Sequence, residues 1–383
     1  MVSDPITIIF ILAVVVFIAI WLEERYRMFR SLGAALVGIL FAMVLSNVGI
    51  LPGNSTAYEI LVGPIVSAGI VLILLSVDIS SIRKAGPVML KAFGIGAVGT
   101  AIGAVIMGSI LASSIGEETW KLTGQFTGTY TGGGLNFAAV GQALGTSSYL
   151  FSAAIAADVL VTAIWMVACL SAPLFLGRKN ANAGKEVQTK PDSQEVEEFT
   201  LARSLYSSGR SVPLLHFAAL AAIAIGALWG SSLLASWFSF FPQVLWLTTI
   251  ALLAAQIPAI KKLSGSAMLG NYLLLLFLAS NGAQSVIANI ISVGPAVFYF
   301  AIGTVTIHGI FIFGVGRLFR IDAGTLAVAS QANVGGPASA MALASARGYT
   351  DRFLPGIAAG LLGYAVGSYM GLAVANMMKP FLG

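Results

Sequence analysis

Apolar stretches close to the length of a membrane helix alternate with short polar breaks along almost the whole chain. They run at about 5–22, 31–50, 58–77, 86–112, 123–145 and 147–176, and again at about 212–237, 242–260, 267–287, 293–319, 322–346 and 353–378. A helix needs about twenty mostly apolar residues to cross the hydrocarbon core of a bilayer. The pattern therefore predicts an all-α polytopic membrane protein with ten to twelve membrane segments. Between the two sets lies a polar stretch from Arg178 to Ser211, including Lys190-Pro-Asp-Ser-Gln-Glu-Val-Glu-Glu198. Such a composition stays solvated. Three parts are predicted: a first repeat over 1–177, a linker over 178–211 and a second repeat over 212–383. The opening Met1-Val-Ser-Asp-Pro5 carries no basic segment before its apolar run, so that run is expected to be a retained first span.

In each set one apolar segment is broken by adjacent glycines. The breaks read Thr129-Tyr-Thr-Gly-Gly-Gly-Leu-Asn136 and Ser330-Gln-Ala-Asn-Val-Gly-Gly-Pro337. Around them the halves correspond further: Ala154-Ile-Ala-Ala-Asp158 matches Gly356-Ile-Ala-Ala-Gly360 at an offset of 202, and Gly86-Pro87 matches Gly294-Pro295 at an offset of 208. Glycine lacks a Cβ and weakens a helix. Broken backbone at membrane depth survives only where it lines a protein cavity. Paired breaks in corresponding places of two halves point to the substrate site of a secondary transporter.

Charge placement refines the topology. With the N-terminus outside and the fifth segment of each half returning to its own side, 18 of the 20 Lys and Arg face the cytoplasm, leaving Lys121 and Lys379 outside. If every segment crosses, the better side receives 12 of the 20. The positive-inside rule favours the first arrangement. It leaves five crossings per half, an odd number, as two inverted-topology repeats require; a broken helix that crosses is the alternative. The net charge of +5 thus reads as an orientation signal, with no nucleic-acid partner implied. With 58% hydrophobic and 9% charged residues, the chain is no soluble globular domain. Its single cysteine, Cys169, excludes an internal disulfide.

Polar side chains concentrate at the breaks. In the first, Thr129, Tyr130, Thr131 and Asn136 surround Gly132, Gly133 and Gly134; in the second, Gln331, Asn333 and Ser339 surround Gly335, Gly336 and Pro337. A helix restarting after each break offers free N–H groups and a positive dipole end to a carboxylate. All thirteen are candidate substrate-binding residues, and tight helix packing is the competing role for the glycines. Asp158 is the only acidic residue deep in an apolar segment, where an unpaired carboxylate costs several kcal/mol. It would bind Na⁺ with oxygens such as that of Asn333, carry a proton, or hydrogen-bond structurally. Asn281 and Gln284 interrupt another apolar run; they are further candidate cation or substrate ligands, or equally amides that satisfy backbone at a helix end. No catalytic constellation, metal-ligand spacing or phosphate loop stands out, so no enzyme and no cofactor beyond a coupling ion is expected.

The stretches Thr131-Gly-Gly-Gly-Leu-Asn-Phe-Ala-Ala-Val140, Ala329-Ser-Gln-Ala-Asn-Val-Gly-Gly-Pro-Ala338 and Pro355-Gly-Ile-Ala-Ala-Gly-Leu-Leu-Gly-Tyr364 resemble the YjcL-like family of bacterial membrane proteins. That family is in turn similar to a superfamily of cation:proton antiporters, bile-acid symporters and citrate carriers. The resemblance implies a scaffold domain, built from the first two helices of each half, and a mobile core carrying both breaks. It also implies an elevator-type mechanism, a homodimer and a place in the bacterial cytoplasmic membrane, while the charge pattern puts the linker on the cytoplasmic side. The expected function is Na⁺- or H⁺-coupled transport of a small, carboxylate-bearing solute. A cation/proton antiporter working through Asp158 is the alternative, and a non-transporting receptor or membrane enzyme is a third reading.

Overall fold

The computed structural model describes residues 2–77, 83–176, 212–238, 242–285 and 287–383; the predicted linker lies outside them. Every regular element among the described residues is helical. The first half comprises α1 (Pro5–Arg25), α2 (Arg27–Asn47), α3 (Thr56–Leu74), α4 (Gly86–Ile115), α5a (Thr119–Gly132), α5b (Gly134–Leu144) and α6 (Ser148–Leu176). The second comprises α7 (Leu214–Trp237), α8 (Gln243–Ala254), α9 (Ser266–Ala283), α10 (Ile287–Leu318), α11a (Ala323–Val334), α11b (Gly336–Ala346) and α12 (Thr350–Leu382). Eight described helices are long and apolar enough to cross a membrane, and two shorter apolar ones cover Gly33–Asn47 and Gln243–Ala254.

Local chemistry sets several of these ends. Asp4 caps α1 by accepting from Thr7 N at 2.8 Å, and Pro5 fills the first turn, where a missing N–H costs nothing. In α3, Pro64 cannot donate to the ladder and crowds the preceding turn; the helix responds by widening to a π turn over Leu61–Ile65.

The helices sort into two packed groups. α1, α2, α3, α7, α8 and α9 pack on one another, and α4, α5, α6, α10, α11 and α12 form the second group. The resemblance places only the first two helices of each half in a scaffold. Here the third, α3 and α9, packs with those as well. Small residues allow it: a Cβ on Gly69 would stand 3.1 Å from Gly270 O, so the two backbones cross almost in contact.

α5 and α11 are hairpins. At the base of α5, Lys121 Nζ donates to Gly145 O at 2.8 Å and Glu118 accepts from Ser147 N at 2.9 Å. Midway, Gln125 Nε2 donates to Phe137 O at 3.4 Å while Thr146 Oγ1 donates to Gln125 Oε1 at 2.9 Å. The second arm therefore runs back beside the first, and the chain leaves on the side it entered. α11 does the same: Asp322, before its first arm, meets Arg352, which follows the second arm, at 3.3 Å. This matches the returning segments favoured by the charge pattern. Consistently, the two basic residues left on the sparse side lie together, with Lys121 and Lys379 Nζ 5.8 and 5.0 Å from the Trp120 ring.

Asp322 makes the base of α11 sensitive to acid. Burial pushes its carboxyl up, but the Thr325 hydroxyl, the Thr325 N–H and Arg352 outweigh it and hold it below the usual 3.8. A depressed folded-state value means that its stabilisation is present above the unfolded value and lost as pH falls through the folded one. Asp322→Ala should cost about 1 kcal/mol of stability, the usual value of an N-cap. The cost should shrink in thermal unfolding below about pH 4, near the ordinary carboxylate value. A cost that stays constant into acid would contradict this role.

Candidate functional site

The arms of α5 and α11 end at glycine tips that meet. Gly133 has φ 90° and Gly336 φ 74°, the left-handed region that favours glycine. A Cβ on Gly133 would lie 3.4 Å from Gly335 C and Gly336 N, and one on Gly336 would lie 3.2 Å from Gly132 O. The two breaks thus form one backbone-to-backbone contact inside the second helix group. α12 packs along α5a through a ladder of small residues, Gly363, Gly367 and Gly371 against Gly132, Gly128 and Gly124. Gly360, counterpart of Asp158, abuts the other tip: a Cβ there would stand 2.5 Å from Pro337 N. Sequence correspondence alone gave no reason for that asymmetry. One half places backbone against its own tip where the other places a carboxylate.

The polar residues around the tips, the predicted site residues among them, divide by what their polar atoms do. Asn136 is buried and fully engaged, donating to Gly363 O at 3.1 Å and accepting from Ser368 Oγ at 2.8 Å, so it pins α5b to α12. Thr123 and Thr127 bond back to their own helix at Thr119 O and Thr123 O. By contrast, Thr129 Oγ1, Tyr130 OH, Thr131 Oγ1, Asp158 Oδ1, Thr162 Oγ1, Asn333 Oδ1 and both amide atoms of Gln331 are buried outside hydrogen-bond geometry. Buried polar atoms are ordinarily paired, so this concentration marks the site. Tyr130 and Thr129 face the Asp158 carboxyl. One turn further along α6, Thr162 Cγ2 lies 3.4 Å from a Cβ position on Gly335. Asn333 anchors the α11a arm by donating to Phe93 O at 3.1 Å and Ala329 O at 3.0 Å. Ser339 lies against Gly335, closing the second tip.

Asn281 and Gln284 are not brought to the tips. Each donates to its own helix, at Phe277 O and Ser280 O. They sit at the end of α9, where Ser285 Oγ donates to Ser148 O and Ser152 Oγ. Of the two roles open to them, ligands or helix-end caps, the contacts among the described residues match the second: carbonyls of their own helix occupy their amides.

A buried hydrogen-bond chain joins the two hairpins through α4, α6 and α10. Trp165 Nε1 donates to Ser330 Oγ at 2.9 Å, and Ser330 Oγ lies 2.9 Å from His308 Nε2. On the other side of the ring, His308 Nδ1 lies 2.9 Å from Gly96 O and 3.0 Å from Thr100 Oγ1, which donates to Tyr130 O at 2.8 Å. A carbonyl only accepts, so Nδ1 carries the proton. Ser330 Oγ, which also accepts from Trp165, is the partner of Nε2. The lone mid-helix histidine is a satisfied core residue that couples the arms.

Beside the tips lies a cavity of about 60 Å³ on the seam between the helix groups. Ile73, Ser76, Asn271 and Leu274 line it from the α3–α9 side; Leu135, Pro337, Leu361 and Tyr364 line it from the hairpin side. Leu135 and Pro337 belong to the first turns of α5b and α11b, where the helix dipole is positive; Pro337 carries no N–H, and Asn136 N already donates to Gly133 O at 3.0 Å. Gly134 is exposed at this point. Ser76, Asn271 and Tyr364 are lining residues that the sequence reading missed. Asn271 interrupts an apolar run as Asn281 does, and Tyr364 ends the Gly-Leu-Leu-Gly-Tyr364 motif, so a signal existed for both. The arrangement offers one carboxylate among hydroxyl and amide oxygens, suited to a small cation or a proton, next to a chamber with two helix starts.

Comparison with known proteins agrees with a multi-pass membrane protein. The chain is 25% identical over 385 residues to the "Uncharacterized membrane protein YjcL" of Bacillus subtilis (strain 168), with 96% of each chain covered. Residues 8–381, nearly the entire chain, match one family, and the protein therefore belongs to the family described as "Protein of unknown function (DUF819)".

Proposed function

We propose that this protein is a cation-coupled secondary transporter of a small solute bearing a carboxylate. The observation that carries the reading is the meeting of two glycine tips, one from each half, against a cavity on the seam between two helix groups. Unwound backbone in corresponding places of two halves is what such carriers use to hold a solute. On this reading the α5 and α11 hairpins re-enter the membrane and ten helices cross it as two inverted repeats of five. The N-terminus lies outside and the chain sits in the bacterial inner membrane, as a homodimer. The second helix group slides as the core past the first, in an elevator-type cycle. Asp158, with Thr129 and Tyr130 beside it, holds Na⁺ or a proton, and the positive N-terminal ends of α5b and α11b hold the carboxylate. Charge neutralisation by the pair lowers the cost of moving the loaded core through lipid.

In proteoliposomes, a small carboxylate that raises the thermal stability of the purified protein should be taken up when a Na⁺ or proton gradient is imposed. Uptake indifferent to both gradients would end the coupling proposal, and binding without uptake would end the carrier proposal. One observation favours a second reading, a cation/proton antiporter: no basic side chain lines the cavity. Exchange of Na⁺ for H⁺ with no solute present would select it.

A further inference from the structure

Among the described residues, the hydrogen bonds that Ser285, Thr249 and Gln142 make across the seam lie on one side of the tips. Near the Lys121 end, Ser285 on α9 bonds to Ser148 and Ser152 at the start of α6, and Thr249 on α8 lies 2.7 Å from Tyr369 on α12. The third contact is made by a hairpin itself. Gln142, near the end of α5b, donates through Nε2 to Ser67 Oγ at 2.8 Å and to Gly63 O at 3.2 Å on α3. Gly63 lies inside the π turn at Pro64, and Ser67 Oγ also donates to Gly63 O at 2.9 Å. On the other side of the tips the seam holds the 60 Å³ cavity, bounded by Ser76 and Ala267 at the opposite ends of α3 and α9. The tips are thus tied off from the Lys121 side and bordered by space on the other.

From this arrangement we infer that Gln142 is an outer latch: its amide, caught in the π turn of α3, holds the hairpin in the inward-facing position and must release before the tips face outside. The inference rests on the carrier reading above. Three features single out Gln142 among the cross-seam contacts. It sits on the same arm as the tip, so its release frees the element that carries the site. Its acceptor belongs to a π turn, an irregularity that recurs at functional sites. Beside it lies a second cavity of about 230 Å³, lined by Ser67, Gln142, Ala143, Gln243 and Leu247 from α3, α5b and α8. That space is where an outward path would widen, and its lining carries no charge to hold ions there.

The test uses the full chain with its one cysteine, the buried Cys169, replaced by Ala and a reporter cysteine at Gly134, an exposed tip position with open space around a Cβ. A membrane-impermeant maleimide is added to intact cells, and separately to inside-out vesicles. With Gln142 present, Gly134→Cys should react from the cytoplasmic side. Adding Gln142→Ala should raise the outer rate roughly three- to tenfold, the range one buried hydrogen bond supports, and lower the inner rate. Ser67→Ala, which leaves the Gly63 carbonyl in place, should give a smaller rise and serves if Gln142→Ala does not fold. An outer rate unchanged in both variants, or a reporter that already reacts from outside at the full rate, overturns the latch. Labelling needs neither solute nor gradient. Latch-dependent labelling in a protein that transports nothing would therefore defeat the carrier reading alone.

Discussion

Asp158→Asn should reduce gradient-driven uptake by a factor on the order of 100 or more while leaving the protein folded. Removing the charge partner of a desolvated cation costs about 2–5 kcal/mol, and each 1.4 kcal/mol is tenfold in affinity. The same change relieves a charge cost of the empty site, because Asp158 Oδ1 is buried outside hydrogen-bond geometry. Thermal stability in the absence of substrate should therefore hold or rise, which separates a functional carboxylate from a structural one. The neighbouring Thr129→Val, which removes one neutral oxygen beside the carboxyl, should weaken cation dependence by much less. Uptake by Asp158→Asn that still follows the imposed gradient would refute the coupling role.

The second large effect concerns the tips as architecture. Gly363→Ala and Gly132→Ala should each lose most of the monodisperse folded protein. A Cβ on Gly363 would stand 2.6 Å from Thr131 O and 2.7 Å from Gly132 Cα, and one on Gly132 would run into Gly363 C and O. Both obstacles are backbone, which has no rotamer to change. Inserting a methyl group into a packed interior ordinarily costs about 1–3 kcal/mol, occasionally more, and here α5a and α12 would have to part. Gly94→Ala and Gly134→Ala, where nothing lies within 4 Å of the added atom, are the matched controls. Size-exclusion profiles and thermal unfolding in detergent provide the readout. Normal folding of both tip variants would mean that α12 and the α5 hairpin are not packed as described.

Much of this arrangement could be read from residues alone. The glycine breaks, a charge pattern that would gather 18 of the 20 basic residues on one face if a segment of each half returned, and the correspondence of Ala154–Asp158 with Gly356–Gly360 favour two halves with a returning segment in each. The hairpin contacts of Lys121 with Gly145 and of Asp322 with Arg352 agree. Site assignment by polar clustering was less discriminating. Asn136, Thr129 and Gln331 look alike as polar residues beside glycine, yet Asn136 is consumed by Gly363 O and Ser368, whereas Thr129 Oγ1 and the Gln331 amide are left over. Asn281 and Gln284 look like ligands in an apolar run but serve their own helix end. No periodicity distinguishes a used amide from a spare one. That difference depends on which helix lies opposite.

The sequence by itself determined the class of the protein. Apolar length and the cost of bare backbone in lipid force membrane helices, and adjacent glycines force breaks wherever they occur. Charge asymmetry, which depends only on where basic residues fall between the apolar segments, favoured returning segments. Only the tertiary structure decided that the breaks touch, that α3 and α9 pack with the first helix group, and that Asn271 and Tyr364 line the chamber. Those outcomes depend on contacts between residues far apart in the chain, such as Gly69 with Gly270 or Gly132 with Gly363. They are properties of pairs, and a single chain read residue by residue does not contain its pairings.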